Sequence, residues 1–370
     1  WVRQDGANNV IIRKPASAGY ETAPVVMLQG HMDMVCEKNS DVDFDFEKDS
    51  LKLKVEGDFV SAKGTTLGGD DGIAVAYVLA ILEDDTLEHP ELEVVITTDE
   101  EVGMKGAHAL DVSDLKASYL LNLDNESEGQ ILTSCAGGMK SRAKFPIRRA
   151  EWQGISADIK ISGLKGGHSG AEIHCGRANA NRLLGRLLFA LDKELNVGVC
   201  DVSGGMKDNA IPREDQAKIV LQPEDAARAI QIKESFLADI RDEFSVADPQ
   251  IKIEFNIESN EQKEFSIIHP ADMERILFMY VQSPNGIQTM SMELPGLVES
   301  SLNMGIVSTE ADGVCFSWAV RSSKKSLKFY ISDQLAYMTE FLGGTRYLRR
   351  KYSDHRYKHY GKSTPLKAVL

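Results

Sequence analysis

Short apolar runs alternate with a helix-like segment in the first third of the chain. Residues 25–28, 92–96 and 119–123 are short runs dominated by apolar residues, a pattern typical of strands that are covered on both faces. Residues 72–82 are apolar nearly all round, which predicts a buried helix. The alternation of strand, helix and strand favours an α/β fold with a parallel sheet, whose ligands bind at the carboxyl ends of the strands.

The pattern changes from about residue 138. Asn179 can cap a helix that carries leucines along one face, and two similar strand–helix–strand units follow it. The first unit comprises strand 219–221, helix 224–244 and strand 251–257, and the second comprises strand 314–320, helix 325–342 and strand 346–352. This repetition predicts one α+β domain built from two similar halves and inserted into the first domain.

Each apolar run of the first domain is followed by residues that can bind metals or move protons. Because the carboxyl ends of parallel strands meet at one edge of a sheet, these side chains are expected to converge. Those that follow the three runs, together with the acid that precedes the predicted helix, are His31, Asp33, Glu100, Glu101, Asp124 and Asp70.

So many carboxylates in one place could not all ionise without compensation, which divalent cations supply. Imidazole and carboxylate ligands suit zinc, with cobalt or manganese as alternatives. Two metals that share a bridging carboxylate form a known hydrolytic arrangement, in which one unligated carboxylate serves as general base. The pattern therefore predicts a hydrolytic metal centre.

Each of these residues also has an ordinary structural explanation. A single buried histidine such as His31 is more often hydrogen-bonded in a core than bound to a metal, and Asp70 can simply cap its helix. The two glutamates at 100–101 can form a solvated turn, and acids at 126 and 128 compete with Asp124. The agreement of three strand ends favours the metal centre.

Composition narrows the possible partners. The formal net charge is −14, which argues against binding nucleic acid or an anionic membrane. The five cysteines are scattered without a Cys-x-x-Cys pair, so neither a disulfide framework nor a cysteine zinc knuckle is expected. Neither a signal peptide nor an apolar run long enough for a bilayer is present in the sequence, and a cytoplasmic location is the default expectation.

Four motifs resemble those of the aminoacyl-histidine dipeptidases, also called Xaa-His dipeptidases or peptidase D. They are LQGHMDMV at 28–35, GTTLGGDDG at 64–72, TDEEVGM at 98–104 and GGHSG at 166–170. These enzymes belong to the di-zinc peptidase family that includes carnosinase and aminoacylase. The resemblance implies a cytoplasmic dipeptidase with two zinc ions per site. It also implies that residues 1–137 belong to a catalytic domain, that 138–352 form an inserted lid and dimerisation domain, and that 353–370 begin the return to the catalytic domain.

The resemblance also implies a role for each acid of the first domain. Asp33 matches the acid that orients the ligand histidine, and Glu100 matches the general base that activates a metal-bridging water. Asp70 matches the carboxylate that bridges the two metals. The four residues that match metal ligands are His31, Asp70, Glu101 and Asp124.

In the inserted domain, the resemblance points to residues that would contact substrate. His168 matches a histidine that reaches the site of a neighbouring subunit and stabilises the tetrahedral intermediate, although His174 competes with it. Asn209 matches a substrate-binding asparagine. Arg321 is a candidate partner for the substrate carboxylate, and Arg213 is a further candidate. On sequence alone, both arginines can equally be structural.

The sequence departs from the family pattern in two respects. Asp71 stands where close relatives often have Asn, which adds an acid near the metals. The C-terminal His-Ala-Gly-Leu-Glu-type motif that supplies a last zinc ligand is not found, and neither His355 nor His359 is assigned that role. Segments before Trp1 and after Leu370 are expected to be missing. The chain as given is therefore expected to bind metal poorly and to be inactive, while its complete parent is active.

Three other functions compete with a dipeptidase. An amidohydrolase of the same superfamily would act on N-acyl amino acids and would share these motifs. A metal-free dimerising or peptide-binding relative would lack catalysis, although Glu100 argues against it. A phosphate-binding α/β protein is disfavoured, because the glycine-rich segment 68–72 carries acids and no lysine.

Overall fold

The computed structural model describes residues 1–39, 41–125, 129–131, 135–259 and 261–350. The chain divides into two units, Trp1–Leu132 and Thr133–Leu370. The predicted insertion of residues 138–352 stays a prediction. The segment 353–370, which contains His355 and His359, lies outside the described residues, as do the acids at 126 and 128.

The first unit is built on a mixed five-stranded sheet with the order β1-β2-β6-β3-β7. As predicted, β3 runs parallel to both β6 and β7, whereas β1 and β2 are antiparallel additions at one edge. The strands and helices are β1 Val2–Gln4, β2 Val10–Lys14, β3 Val26–His31, β4 Leu53–Glu56, β5 Phe59–Ala62, α1 Gly69–Glu83, β6 Leu92–Thr97, α2 Lys105–Ala109 and β7 Tyr119–Asn122.

Two expectations about burial in this unit are wrong. Helix α1 forms where predicted but buries one side only: Ala74 and Val78 pack towards the sheet, while Tyr77 is 58% exposed. Strand β7 is not covered on both faces, because it is an edge strand that pairs with β3 alone within the described residues; Leu120 is 58% exposed. Continuous apolarity predicted the elements correctly but not how completely they are covered.

The second unit contains a ten-stranded antiparallel sheet. Its main path has the order β14-β9-β13-β11-β17-β18-β8-β19, with β15 paired to β9 and β16 paired to β17. The strands are β8 Gly137–Pro146, β9 Arg149–Ser162, β10 Gly167–His168, β11 Gly198–Gly204, β12 Ala210–Ile211, β13 Asp215–Leu221, β14 Lys252–Ile257, β15 Lys263–Ile268, β16 Gly286–Met290, β17 Val298–Glu310, β18 Gly313–Ser322 and β19 Thr345–Arg350. The helices are α3 Ala180–Asp192, α4 Ala226–Glu243, α5 Pro270–Gln282 and α6 Lys325–Phe341, with 3₁₀ turns at Ile173–Cys175 and Pro223–Asp225.

The order of this sheet is mirrored about its centre, which confirms the predicted internal repetition. In one half, β13 and β14 flank β9 and are joined through α4; in the other half, β18 and β19 flank β8 and are joined through α6. The halves meet where β11 pairs with β17 over two residue pairs, Ser203 with Ser308 and Gly204 with Val307.

Helices α3 and α5 supply much of the apolar core of this unit. Leu184, Leu187 and Leu191 of α3 are fully buried, as the spacing of leucines predicts. Asn179 caps α3 as expected, because its side chain accepts the main-chain N–H of Arg182 at 3.1 Å. Among the described residues, none of the helices combines the length and the apolar character that crossing a bilayer requires.

Candidate active site

The acids of the first unit meet at the carboxyl ends of three neighbouring strands. His31 ends β3 and is in register with Thr97, which ends β6, while Gln29 of β3 is in register with Asn122, which ends β7. Glu100, Glu101 and Asp124 follow these strand ends directly. The parallel pairing therefore explains why residues far apart in sequence share one edge.

The imidazole of His31 lies at the centre of this group and is nearly fully buried. Its Nδ1 atom lies 2.9 Å from the main-chain oxygen of Asp33, and since that oxygen can only accept, Nδ1 carries the proton. In the neutral ring, Nε2 therefore presents a lone pair to Asp70 Oδ1 at 3.0 Å, with Asp124 Oδ2 at 3.9 Å. Acceptors that face each other at this distance need a proton or a metal ion between them.

Asp33 contacts both His31 and the loop that carries the two glutamates. Its carboxylate accepts the main-chain N–H groups of Glu100 at 3.0 Å and of Glu101 at 3.1 Å, and Oδ1 is 3.5 Å from the imidazole. The main-chain oxygen of Asp33 thus orients His31, while its side chain fixes the two glutamates.

Asp71 is the member of the site that the sequence did not single out as a ligand. Its Oδ2 accepts the main-chain N–H of His31 at 3.1 Å, and the residue is 1% exposed. Gly30 permits this approach, because a Cβ there would collide with that carboxylate. In the sequence, the adjacent acids Asp70 and Asp71 were the only indication that Asp71 could belong to the site. Both residues have non-helical backbone angles, so the regular helix begins after them.

Two sets of potential metal ligands occur among the described residues. Each set has its ligand atoms within 4.8 Å of one another: His31, Asp71 and Asp124 form one, and His31, Glu100 and Glu101 form the other. Asp70, which the sequence predicts to bridge the metals, belongs to neither set, but its Oδ1 lies 3.0 Å from Nε2 of His31.

Crowding changes the proton affinity of these groups. Burial and the neighbouring carboxylates of Asp70 and Asp71 raise the pKa of Asp124 to about 6. Burial, followed by Asp70 and Glu100, raises the pKa of Glu101 as well. Burial alone would lower the pKa of His31, but Asp124 and Asp70 outweigh it and raise that pKa overall. A set of donors that retains protons in this way fits divalent cations, which would replace the shared protons.

A second group of predicted residues comes together in the other unit. Strand β10 pairs with β12, so that His168 lies opposite Ala210, and the main-chain oxygen of Asn209 accepts the N–H of Ser169 at 2.8 Å. Asn209 and Arg321 line a pocket whose wall also contains an ion pair between Lys140 and the buried Asp208.

The side chains of His168 and Arg321 lie next to each other. Nδ1 of His168 accepts the N–H of Ala171 at 3.1 Å, so the neutral ring carries its proton on Nε2, which is 3.2 Å from Nη2 of Arg321. Burial and the nearby guanidinium lower the pKa of His168, which favours this neutral form. Two converging donors are suited to a carboxylate or another oxyanion.

The structure does not bring Arg213 or His174 into this arrangement. Nε of Arg213 donates to the main-chain oxygen of Leu164 at 3.2 Å, and its aliphatic part packs on Gly166. His174 lies next to Cys175, with Nε2 3.7 Å from Sγ. Arg213 therefore supports the glycine-rich loop that carries His168.

Comparison with known proteins places this geometry in a family. Residues 159–248 match the family model of the M20 peptidase dimerisation domain. Over 344 residues, the chain is 36% identical to cytosol non-specific dipeptidase of Escherichia coli K12, covering 92% of this chain and 70% of that protein. The chain belongs to the M20 peptidase family.

A solved M20 structure agrees with this assignment. Aminoacylhistidine dipeptidase from Vibrio alginolyticus superposes with a TM-score of 0.76 at 36% identity, covering 94% of this chain and 71% of that one. The uncharacterized protein YqjE of Bacillus subtilis is 29% identical over 211 residues, 56% of this chain and 50% of that protein. The predicted resemblance, the fold class and membership in a family of peptide-bond hydrolases are confirmed.

Proposed function

We propose that this M20 member is a zinc-dependent dipeptidase that cleaves dipeptides, among them those with a C-terminal histidine. The observation that carries the proposal is the environment of His31, whose Nε2 atom faces Asp70 and Asp124 across distances that a shared proton or a bound cation would bridge. The M20 relatives named as dipeptidases support the choice of substrate.

The metal would be held by His31, Asp70, Glu101 and Asp124, with two zinc ions per site and cobalt or manganese as substitutes. Bound dications would lower the pKa of a water molecule and polarise the scissile carbonyl. Asp71 lies in the same cluster and is proposed to support the ligand His31 through its main-chain N–H.

The residues of the chain itself would then handle the protons and the substrate charge. Glu100 accepts a proton from the attacking water while the oxygen of that water bonds to the carbonyl carbon. It returns that proton to the nitrogen of the leaving amine as the C–N bond breaks. Asp33 fixes the main chain that carries Glu100.

Substrate binding is assigned to the second unit. The paired donors of His168 and Arg321 suit the oxyanion of the intermediate and the terminal carboxylate, and Asn209 borders the same pocket. We further propose a homodimer that forms through this unit, since the matched family model is a dimerisation domain, and a cytoplasmic location like that of the relative named for the cytosol.

Metal removal and a substrate panel test the proposal. The protein is purified, and its metal content is measured by mass spectrometry. We expect dipeptide hydrolysis that a chelator abolishes and zinc restores. Hydrolysis of N-acetyl amino acids alone would replace the proposal with an amidohydrolase. A metal-loaded protein that cleaves neither class of substrate would refute both.

A further inference from the structure

The two glutamates of the candidate site lie on a loop whose conformation is costly. The loop joins β6 to α2, and Asp99 and Met104 within it adopt left-handed φ values of 56° and 58°. Residues with a Cβ adopt such values only where surrounding contacts enforce them. The loop closes on itself, because the N–H of Gly106 donates to the oxygen of Thr98 at 3.0 Å. These closing residues form the stem of the loop that carries the two glutamates.

One fully buried side chain, that of Asn9, bridges both ends of this stem. Its Oδ1 accepts the N–H of Thr98 at 3.1 Å, and its Nδ2 donates to the oxygen of Gly106 at 2.9 Å. Nδ2 also donates to Asp5 Oδ2 at 2.8 Å. Because one partner can only donate and two can only accept, the orientation of the amide is fixed. Asn9 precedes β2, whose pairing with β6 places it beside the stem.

The stem leaves no room for a different arrangement. A Cβ on Gly106 would collide with the oxygen of Thr98 and with Oδ1 of Asn9. The hydroxyl of Thr98 donates to the main-chain oxygen of Ala7 at 2.7 Å, which ties the stem to the turn before β2. The loop is thus clamped at its stem by Asn9 and nearer its tip by Asp33.

We propose that Asn9 is a positioning residue for Glu100 and Glu101. It touches neither substrate nor metal, and acts by holding the loop so that both carboxylates face His31. This inference rests on the proposed function for its catalytic consequence, but its structural consequence can be measured without it. When a residue that orients metal ligands without contacting the metal is replaced, metal affinity or activity typically falls by about 10–100-fold.

The experiment compares Asn9→Ala with Ile11→Val in the purified protein. Ile11 is fully buried on β2 and contributes to the core without a bond to the loop, so this control separates loss of stability from loss of positioning. Amide hydrogen exchange of Glu100 and Glu101, zinc affinity by calorimetry, and kcat and KM are measured well below the unfolding temperature.

For Asn9→Ala we expect exchange at both amides to be about tenfold faster, zinc affinity and kcat each to fall about tenfold or more, and KM to stay nearly constant. Ile11→Val should change none of these per folded molecule. If Asn9→Ala folds too poorly, Gly106→Ala disturbs the same stem from its other side and should give the same signature.

Unchanged exchange and zinc affinity in Asn9→Ala would overturn the inference, as would equal effects in Ile11→Val. Faster exchange and weaker zinc binding in a protein that cleaves no dipeptide would support the positioning role and refute the proposed function instead. The two failures are therefore distinguishable.

Discussion

The ring of His168 and the guanidinium of Arg321 lie side by side, with Nε2 3.2 Å from Nη2. Since the N–H of Ala171 occupies Nδ1 of the ring, both facing nitrogens carry hydrogens. A neutral imidazole has one lone pair and cannot accept both the Ala171 N–H and a guanidinium N–H, so an anion beside the pair would satisfy the donor that the ring does not. This relationship is the basis for assigning the pocket to the negatively charged end of a substrate.

Replacing Arg321 by Lys should weaken binding of substrates with a free carboxylate. Lysine cannot offer the planar pair of donors, so we expect KM for a dipeptide to rise about tenfold or more, corresponding to about 1.4 kcal/mol. KM for the same dipeptide with an amidated C-terminus should hardly change. Arg142→Lys, at an exposed position on β8, is the control. Equal increases for the free and amidated substrates would remove Arg321 from carboxylate recognition.

Replacing Glu100 by Gln should abolish proton transfer while leaving the metal bound. We expect kcat to fall by about 10²–10⁴-fold, the usual contribution of a positioned general base, with zinc content unchanged. Asp99→Asn is a matched control, because asparagine tolerates the left-handed φ of that position and removes an adjacent charge. If kcat survives in Glu100→Gln and falls in Asp99→Asn, the base has been misassigned.

Asp272 should stabilise the second unit only above acidic pH. Its buried carboxylate accepts the N–H and guanidinium of Arg148 and the guanidinium of Arg275, and these bonds hold its pKa well below the usual range. The stabilisation is therefore present above the unfolded-state pKa of about 4 and is lost as pH falls.

Asp272→Asn should lower the free energy of unfolding by about 2 kcal/mol at pH 7, and the difference from the parent should shrink below about pH 4. Chemical denaturation at several pH values measures both. The exposed pair of Asp312 with Lys144 provides a control, since Asp312→Asn should have almost no effect. A pH-independent loss in Asp272→Asn would show that packing rather than charge is responsible.

Asp215 should have the opposite pH dependence. It is fully buried, its Oδ2 has no hydrogen-bond partner among the described residues, and burial raises its pKa well above the ordinary value. Its contribution is thus complete at acidic pH and is lost as pH rises from the unfolded-state pKa towards the raised one.

Asp215→Asn should therefore raise the free energy of unfolding by roughly 1 kcal/mol or more at pH 8, with little difference near pH 3. Denaturation curves at the two pH values measure it. Destabilisation of Asp215→Asn at pH 8 would mean that the carboxylate has a partner that compensates its charge.

Local pattern was sufficient to predict which residues meet at the strand ends. The apolar runs predicted β3, β6 and β7, and parallel pairing then required His31, Glu100 and Asp124 to meet. The sequence pattern could not predict which contacts each of these side chains makes. That Asp33 holds the glutamates, and that Asp71 contacts the main chain of His31, depends on loop conformations set by tertiary contacts.

The sequence also could not predict which apolar side chains are exposed, or which hydrogen bonds join residues that lie far apart in the chain. An apolar helix face looks the same whether or not another element covers it, which is why the exposure of Tyr77 was missed. Asn9 gave no signal, because an asparagine before a strand usually marks a turn, and its partners Thr98 and Gly106 lie far along the chain.

The two halves of the large sheet are joined by a short ladder at its centre. Ladders elsewhere are long, as between β17 and β18, but β11 and β17 share two residue pairs, so bending is resisted least along that line. The segment that leaves β11 after Gly204 leads directly to Asn209 and β12. The pocket proposed to bind substrate is lined by Asp208 and Asn209 from one half of the sheet and by residues of β8 and β18 from the other. A small flexing between the two halves would therefore widen or narrow it without breaking either half.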